Sequence, residues 1–160
     1  MAALYGTLLS VGGLKEDYLV KALAEYKKRI SAYMRLEEIV LKEEKLQDET
    51  PTAVSAALEA EGEKILAQIP KDAYVIALCV EGKELDSVAL AEKIAEAGRL
   101  SGKIFFVIGS SYGLSPKVKA RADFKLSVSK LTFPHQLMRV LLLEVLYRCM
   151  NITKGTRYHK

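Results

Sequence analysis

Cysteine, proline and histidine are scarce in this 160-residue chain, at two, four and two residues. Cys79 and Cys149 each sit inside an apolar run with no partner at CxxC spacing. That excludes a disulfide framework and a thiolate zinc site, and leaves two small buried thiols in a reducing compartment. With few prolines, no long polar tract and half of its residues hydrophobic, the chain fits neither a disordered nor a fibrous class. No segment reaches the ~18 uninterrupted apolar residues of a membrane span. The start, "MAALYGTLLSVGG", has no basic leader before its apolar run, so the expectation is a soluble, unexported, cytoplasmic protein with no membrane partner.

Charge is present but unevenly placed. Residues 1–98 hold 12 Lys+Arg against 18 Asp+Glu, whereas residues 99–160 hold 12 against 2. A carboxyl-terminal part with net +10 suits an anionic partner, nucleic acid first, unless the two halves neutralise each other across their surfaces. The length fits one domain, 1–160, that buries roughly 70% of the surface of its unfolded form, with a short basic tail at 151–160.

Hydrophobic spacing predicts five strands alternating with five helices. Leu4–Val11 has strand length; Leu19, Leu23, Tyr26 and Ile30 recur with a helical period; Leu36–Leu41 alternates as a second strand. After it, "KEEKLQDE" reads as a solvated loop. Thr50-Pro51 opens a second helix with a cap and a proline at its first position. "AYVIALCV" (73–80) and "KIFFVIG" (103–109) are continuous apolar runs rich in β-formers, which is how strands buried on both faces read. Helices follow from Ser87 and Pro116, then a strand at Phe124–Val128 and a long last helix from Pro134. The alternation implies an α/β fold: a mostly parallel sheet of five or six strands with helices on both faces.

Ligands of parallel sheets bind beyond the carboxyl ends of the strands. Three segments qualify: Glu81-Gly82-Lys83, Gly109-Ser110-Ser111-Tyr112-Gly113, and Ser129 to His135. The second is glycine-rich but is no P-loop, because Leu114 stands where the lysine would be, and it is not GxGxxG. A flavodoxin-like nucleotide-binding protein would need that missing phosphate chemistry. His135 at the last helix start could hold a proton or simply shape its loop. It has no His, Cys or carboxylate at metal-ligand spacing, so no metal is expected.

The last helix is apolar around nearly its whole circumference, from Leu137 to Met150, interrupted by Arg139, Glu144 and Arg148. Such a helix must be buried all round, which predicts a homodimer interface unless the chain's own sheet covers it. The tail "NITKGTRYHK" is expected to be disordered by default, or to carry Lys154, Arg157 and Lys160 to a phosphate backbone.

"FVIGSSYGLS", then "KLSVSKLTFPHQLMRVLLLEVLYR" and a terminal "GTRYHK", closely resemble the ribosomal RNA large-subunit methyltransferase H family of the SPOUT superfamily. The resemblance extends through the chain, including "SVGGLKEDYLVKALAEYKKRI". It implies an S-adenosylmethionine-dependent homodimer that methylates N3 of a pseudouridine in large-subunit rRNA on assembled ribosomes, with a carboxyl-terminal trefoil knot. By the same resemblance the cofactor contacts are Leu78, Gly109 and Val128, Ser129, Lys130, Leu131, Thr132 and Phe133. His135, Tyr158 and His159 are the candidate catalytic residues, the last two reaching the partner's site. Arg139, Lys154, Arg157 and Lys160 are candidate RNA contacts. The family commonly has a second glycine where this chain has Ser110. A non-catalytic ribosome-binding factor that keeps the fold is the alternative this departure suggests.

Overall fold

The computed structural model describes residues 4–160. Ten elements alternate along the chain: β1 (Leu4–Val11), α1 (Asp17–Ile30), β2 (Met34–Leu41), α2 (Pro51–Gln68), β3 (Tyr74–Lys83), α3 (Ser87–Leu100), β4 (Lys103–Ile108), α4 (Pro116–Arg121), β5 (Phe124–Leu126) and α5 (His135–Lys154). The five strands form one sheet in the order β2-β1-β4-β3-β5, and every pairing is parallel.

Parallel strands buried on both faces must carry apolar side chains at successive positions. Along β4, Ile104, Phe106 and Ile108 enter one core cluster while Phe105 and Val107 enter the other. Leu8 and Leu9 of β1, and Ile76 and Ala77 of β3, divide the same way. The first cluster lies under α1, α3 and α5, through residues such as Leu23, Ile94 and Leu146. The second lies under α2 and α4, through Ile65 and Val118. Caps start the helices where expected: Thr50 accepts from Ala53 N–H at 3.2 Å with Pro51 inside, Asp86 from Ala89 N–H at 2.8 Å, and Ser115 from Val118 N–H at 3.3 Å. Gly155 closes α5 in the left-handed region at φ +73°.

Strand limits differ from their sequence reading: β2 begins at Met34 rather than Leu36, β4 stops at Ile108, and the ends of β3 and β5 move. β3 runs three residues further, to Lys83, because its register shifts after Leu78 and Lys83 pairs again with Leu126. That extension passes so close to β5 that a β-carbon on Gly82 would stand 2.7 Å from the Lys125 carbonyl oxygen; only glycine lets the two backbones meet. β5 ends early, at Leu126. Ser127 instead donates its N–H to the Lys83 carbonyl at 3.0 Å and its hydroxyl to the Ser129 carbonyl at 3.0 Å, which turns the chain into a loop.

Helix α5 is covered largely by its own chain. Leu142, Leu143, Leu146 and Cys149 pack into the first core cluster beside α1 and α3, and burial pushes the Cys149 thiol up to about 12. Leu137, Leu141 and Val145 repeat every four residues as a half-buried stripe, with Leu137 and Val145 packing against the edge of that cluster and Leu141 outside both clusters.

The loop read as merely solvated is docked. Glu44 N–H donates to the buried carboxylate of Glu61 on α2 at 3.0 Å, Lys64 pairs with Glu44, and Glu49 accepts from the Tyr112 hydroxyl at 3.0 Å. Among the described residues no helix is long and apolar enough to cross a membrane.

Candidate functional site

The carboxyl ends of β3, β4 and β5 open into a cleft of about 740 Å³, a volume suited to a ligand the size of a nucleoside with an appended chain. Its walls are residues 78–81, 108–114, 126–129 and 131–135, joined by Lys119 from α4 and Met138 from α5. Of the first segment the strand-end rule selects, only Glu81 lines it, and Gly82 and Lys83 are the last residues of β3.

Gly109 directly follows β4 with no room for a side chain, since a β-carbon there would overlap the Gly113 carbonyl. The Ser110–Gly113 turn folds back over it: Gly113 N–H donates to the Ser110 carbonyl at 2.9 Å, and Gly113 stands at φ +93°. Ser110 is 5% exposed and fits this path, so the serine that replaces a second glycine leaves the turn intact. The opposite wall is held by Ser129, whose hydroxyl accepts from Leu131 N–H at 3.0 Å. Leu78, Gly109, Val128, Ser129, Leu131, Thr132 and Phe133 all line the cleft. Lys130 does not; its side chain is 88% exposed and its ammonium stands 3.9 Å from Glu84.

His135, the first residue of α5, lines the cleft and faces the end of β1. A β-carbon on Gly12 would stand 3.3 Å from Glu43 Oε2, 3.9 Å from His135 Nε2 and 4.0 Å from Arg139 Nη2, so three ionisable groups converge on that glycine. Burial draws the His135 imidazole below its ordinary range; Glu43 opposes this, while Arg139 and Lys15 add to it. A neutral imidazole at pH 7, able to accept a proton, results.

Arg139, expected to contact RNA, is instead 1% exposed. Its Nη2 donates to the Val11 carbonyl at 2.9 Å and to that of Gly12, while its Nε has no partner. Pinned to the end of β1, it is unavailable to a phosphate backbone.

The tail is ordered onto α5. Asn151 Oδ1 accepts from Thr156 Oγ1 at 2.6 Å and from the Tyr33 hydroxyl at 3.0 Å. Tyr158 donates to Glu144, its ring packs edge-on against Tyr147 at 4.8 Å, and the Arg148 guanidinium covers it at 4.7 Å. His159 Nδ1 lies 3.4 Å from Arg148 Nη1. Tyr158 therefore lies beside Glu144 and His159 beside Arg148 on α5, outside their own chain's cleft. Lys154, Arg157 and Lys160 are exposed.

Strand ends alone do not point to Lys119 or Met138, because helices deliver both. The available signal for Lys119 was Pro116, which starts α4 and sets Lys119 on its first turn, next to the glycine loop. Among the described residues no cluster of three His, Cys, Asp or Glu side chains could hold a metal.

Residues 5–159 match a family model described as "Predicted SPOUT methyltransferase". The chain is 49% identical over 156 residues to "Ribosomal RNA large subunit methyltransferase H" of Shouchella clausii (strain KSM-K16), which covers 96% of this chain and 98% of that protein. It is 47% identical, with the same coverage, to the protein of that name from Bifidobacterium adolescentis. Among solved structures it resembles the tRNA (m1G37) methyltransferase from Aquifex aeolicus, with TM-score 0.56, 12% identity, 99% of this chain and 74% of that chain covered.

Proposed function

The chain belongs to the SPOUT methyltransferase family, among the ribosomal RNA large subunit methyltransferases H, and from that premise we propose that it transfers a methyl group from S-adenosylmethionine to N3 of a pseudouridine in large-subunit rRNA. It acts on assembled ribosomes in the cytoplasm, as a homodimer. The observation that carries the reading is the cleft at the ends of β3, β4 and β5, with its Gly109 cradle.

The residues present fit the donor. A side chain at position 109 would fill the cradle, so the backbone of the 109–113 turn is left open to a flat nucleoside. Leu78, Val128 and Phe133 supply apolar surface around it. S-adenosylmethionine bound there would supply an already activated sulfonium methyl.

What remains for the protein is alignment and removal of one proton. Holding the acceptor nitrogen in line is worth roughly 7–11 kcal/mol, and a positioned base adds ~10²–10⁴-fold. His135 stands at the cleft with its imidazole neutral. Tyr158 and His159 reach the site of the second subunit, and Lys154, Arg157 and Lys160 carry the basic tail to the RNA backbone. A target base in a loop is extruded at less cost than one in a duplex.

Support for the homodimer comes from surface. One chain exposes 9192 Å², where a compact monomer of 17.7 kDa exposes about 8,000 Å². The Leu137, Leu141 and Val145 stripe is the patch a second copy would cover. The trefoil threading of the carboxyl-terminal segment belongs to the same proposal.

The test is a thermal-shift titration with S-adenosylmethionine, followed by methyl transfer to 50S subunits and 70S ribosomes. At 100 times Kd the donor should stabilise the fold by about 2.7 kcal/mol. No shift would remove the enzyme reading, and a shift without transfer to ribosomes would leave the donor but refute the substrate.

A further inference from the structure

Among the described residues that line the cleft, Glu81 supplies the only carboxylate and Lys119 the only ammonium, and they are paired with each other. Glu81 stands in the last part of β3, where the register shifts after Leu78, and Lys119 comes from α4, which covers the opposite face of the sheet from α5. The cleft is therefore polarised: an ion pair on the α4 side, and His135 with Met138 on the α5 side. Between them the walls offer backbone groups and apolar or hydroxyl side chains.

Resting on the methyl-donor reading above, we propose that the Glu81–Lys119 pair is the subsite for the amino-acid end of the donor. That end carries one ammonium and one carboxylate, and the pair offers one carboxylate and one ammonium. The nucleoside half is neutral and suits the uncharged loops. Binding exchanges partners: the Lys119 ammonium turns from Glu81 to the ligand carboxylate, and the Glu81 carboxylate accepts from the ligand ammonium.

Two properties make the exchange feasible. The pair lies at the rim, with side chains 31% and 57% exposed for Lys119 and Glu81, and exposed pairs contribute little to folding, so parting them costs little. Its members sit on separate elements, so each can turn without moving the other's backbone. Lys119 also holds the Glu81 carboxyl below the usual carboxylate range, which keeps it ionised for an incoming ammonium.

The test compares two ligands by calorimetry on the full chain. S-adenosylhomocysteine carries the amino-acid end; 5′-methylthioadenosine keeps adenine, ribose and sulfur without it. Lys119→Met and Glu81→Gln are each expected to weaken the first about tenfold while leaving the second within about twofold, and Lys119→Arg is expected to retain both. Thermal midpoints of all three variants should match the unsubstituted chain, since neither side chain is buried. Equal weakening of both ligands, or of neither, overturns the proposal. An unsubstituted chain that binds neither ligand refutes the donor reading itself and this subsite with it.

Discussion

The Tyr158 hydroxyl donates to the Glu144 carboxylate across 2.8 Å, and that bond fixes where the basic tail lies. Burial alone would raise the Glu144 carboxyl, but hydrogen bonds from Tyr158, Arg148 and Tyr26 outweigh it and hold the group below its ordinary range. The same hydrogen bond raises Tyr158, and burial followed by its own bond to Glu144 pushes Tyr26 up to about 12.

A depressed carboxylate adds stability above its unfolded value that is lost as pH falls through the folded one; a raised tyrosine adds stability at neutral pH that is lost in alkali. The tail should stay docked across the neutral range and leave α5 at both extremes. At neutral pH, Tyr158→Phe is expected to speed tryptic cleavage at Lys154 and Arg157, read by mass spectrometry, while shifting overall stability by about 1 kcal/mol or less. Unchanged cleavage would show that the bond does not hold the tail.

Arg139→Met should destabilise the protein by about 2–4 kcal/mol in urea unfolding, because it strips two buried carbonyls, those of Val11 and Gly12, of their donor. Lys154→Ala, at an exposed position, should leave stability unchanged and lower the salt dependence of ribosome binding.

What could be read in the sequence was whatever one segment decides by itself. The doubly apolar runs of β3 and β4, the Thr50-Pro51 cap and the 109–113 and 129–135 loops are local patterns, and both loops meet at the cleft, whereas of Glu81-Gly82-Lys83 only Glu81 does. Arg139 was misplaced because its partners are backbone carbonyls 127 and 128 residues away, and a carbonyl leaves no mark in a sequence. The acidic loop was misread for a similar reason: Glu61, buried on α2, looks like any other helix glutamate until Glu44 N–H is seen to dock on it.

Gly109→Ala is expected to weaken donor binding at least about tenfold, since the added methyl would displace the Gly113 carbonyl. Ser110→Gly should bind within about twofold of the unsubstituted chain, because Ser110 already fits the turn. Calorimetry with S-adenosylhomocysteine checks both. Normal binding by the alanine variant would separate the cradle from the ligand.

Leu141→Glu and Leu142→Glu, adjacent on α5, should fail in different ways. Leu142 is 0% exposed within its own chain, so a carboxylate there disrupts the fold. Leu141 belongs to neither core cluster and lies on the half-buried stripe, so its variant should remain folded by circular dichroism and elute as a monomer. A folded Leu141→Glu dimer would move the interface elsewhere.

The strand order has a consequence for how the chain is made. β1 lies between β2 and β4, and β4 begins only at Lys103. At about 5–20 residues per second, a nascent β1 would wait roughly 5–20 s after its own synthesis before its second neighbour exists. During that interval its inner edge, Tyr5 to Ser10, has only β2 beside it, and no adjacent-strand hairpin can close first because every pairing is parallel. For a protein proposed to act on finished ribosomes, the centre of its own sheet then waits until about two thirds of its message has been read.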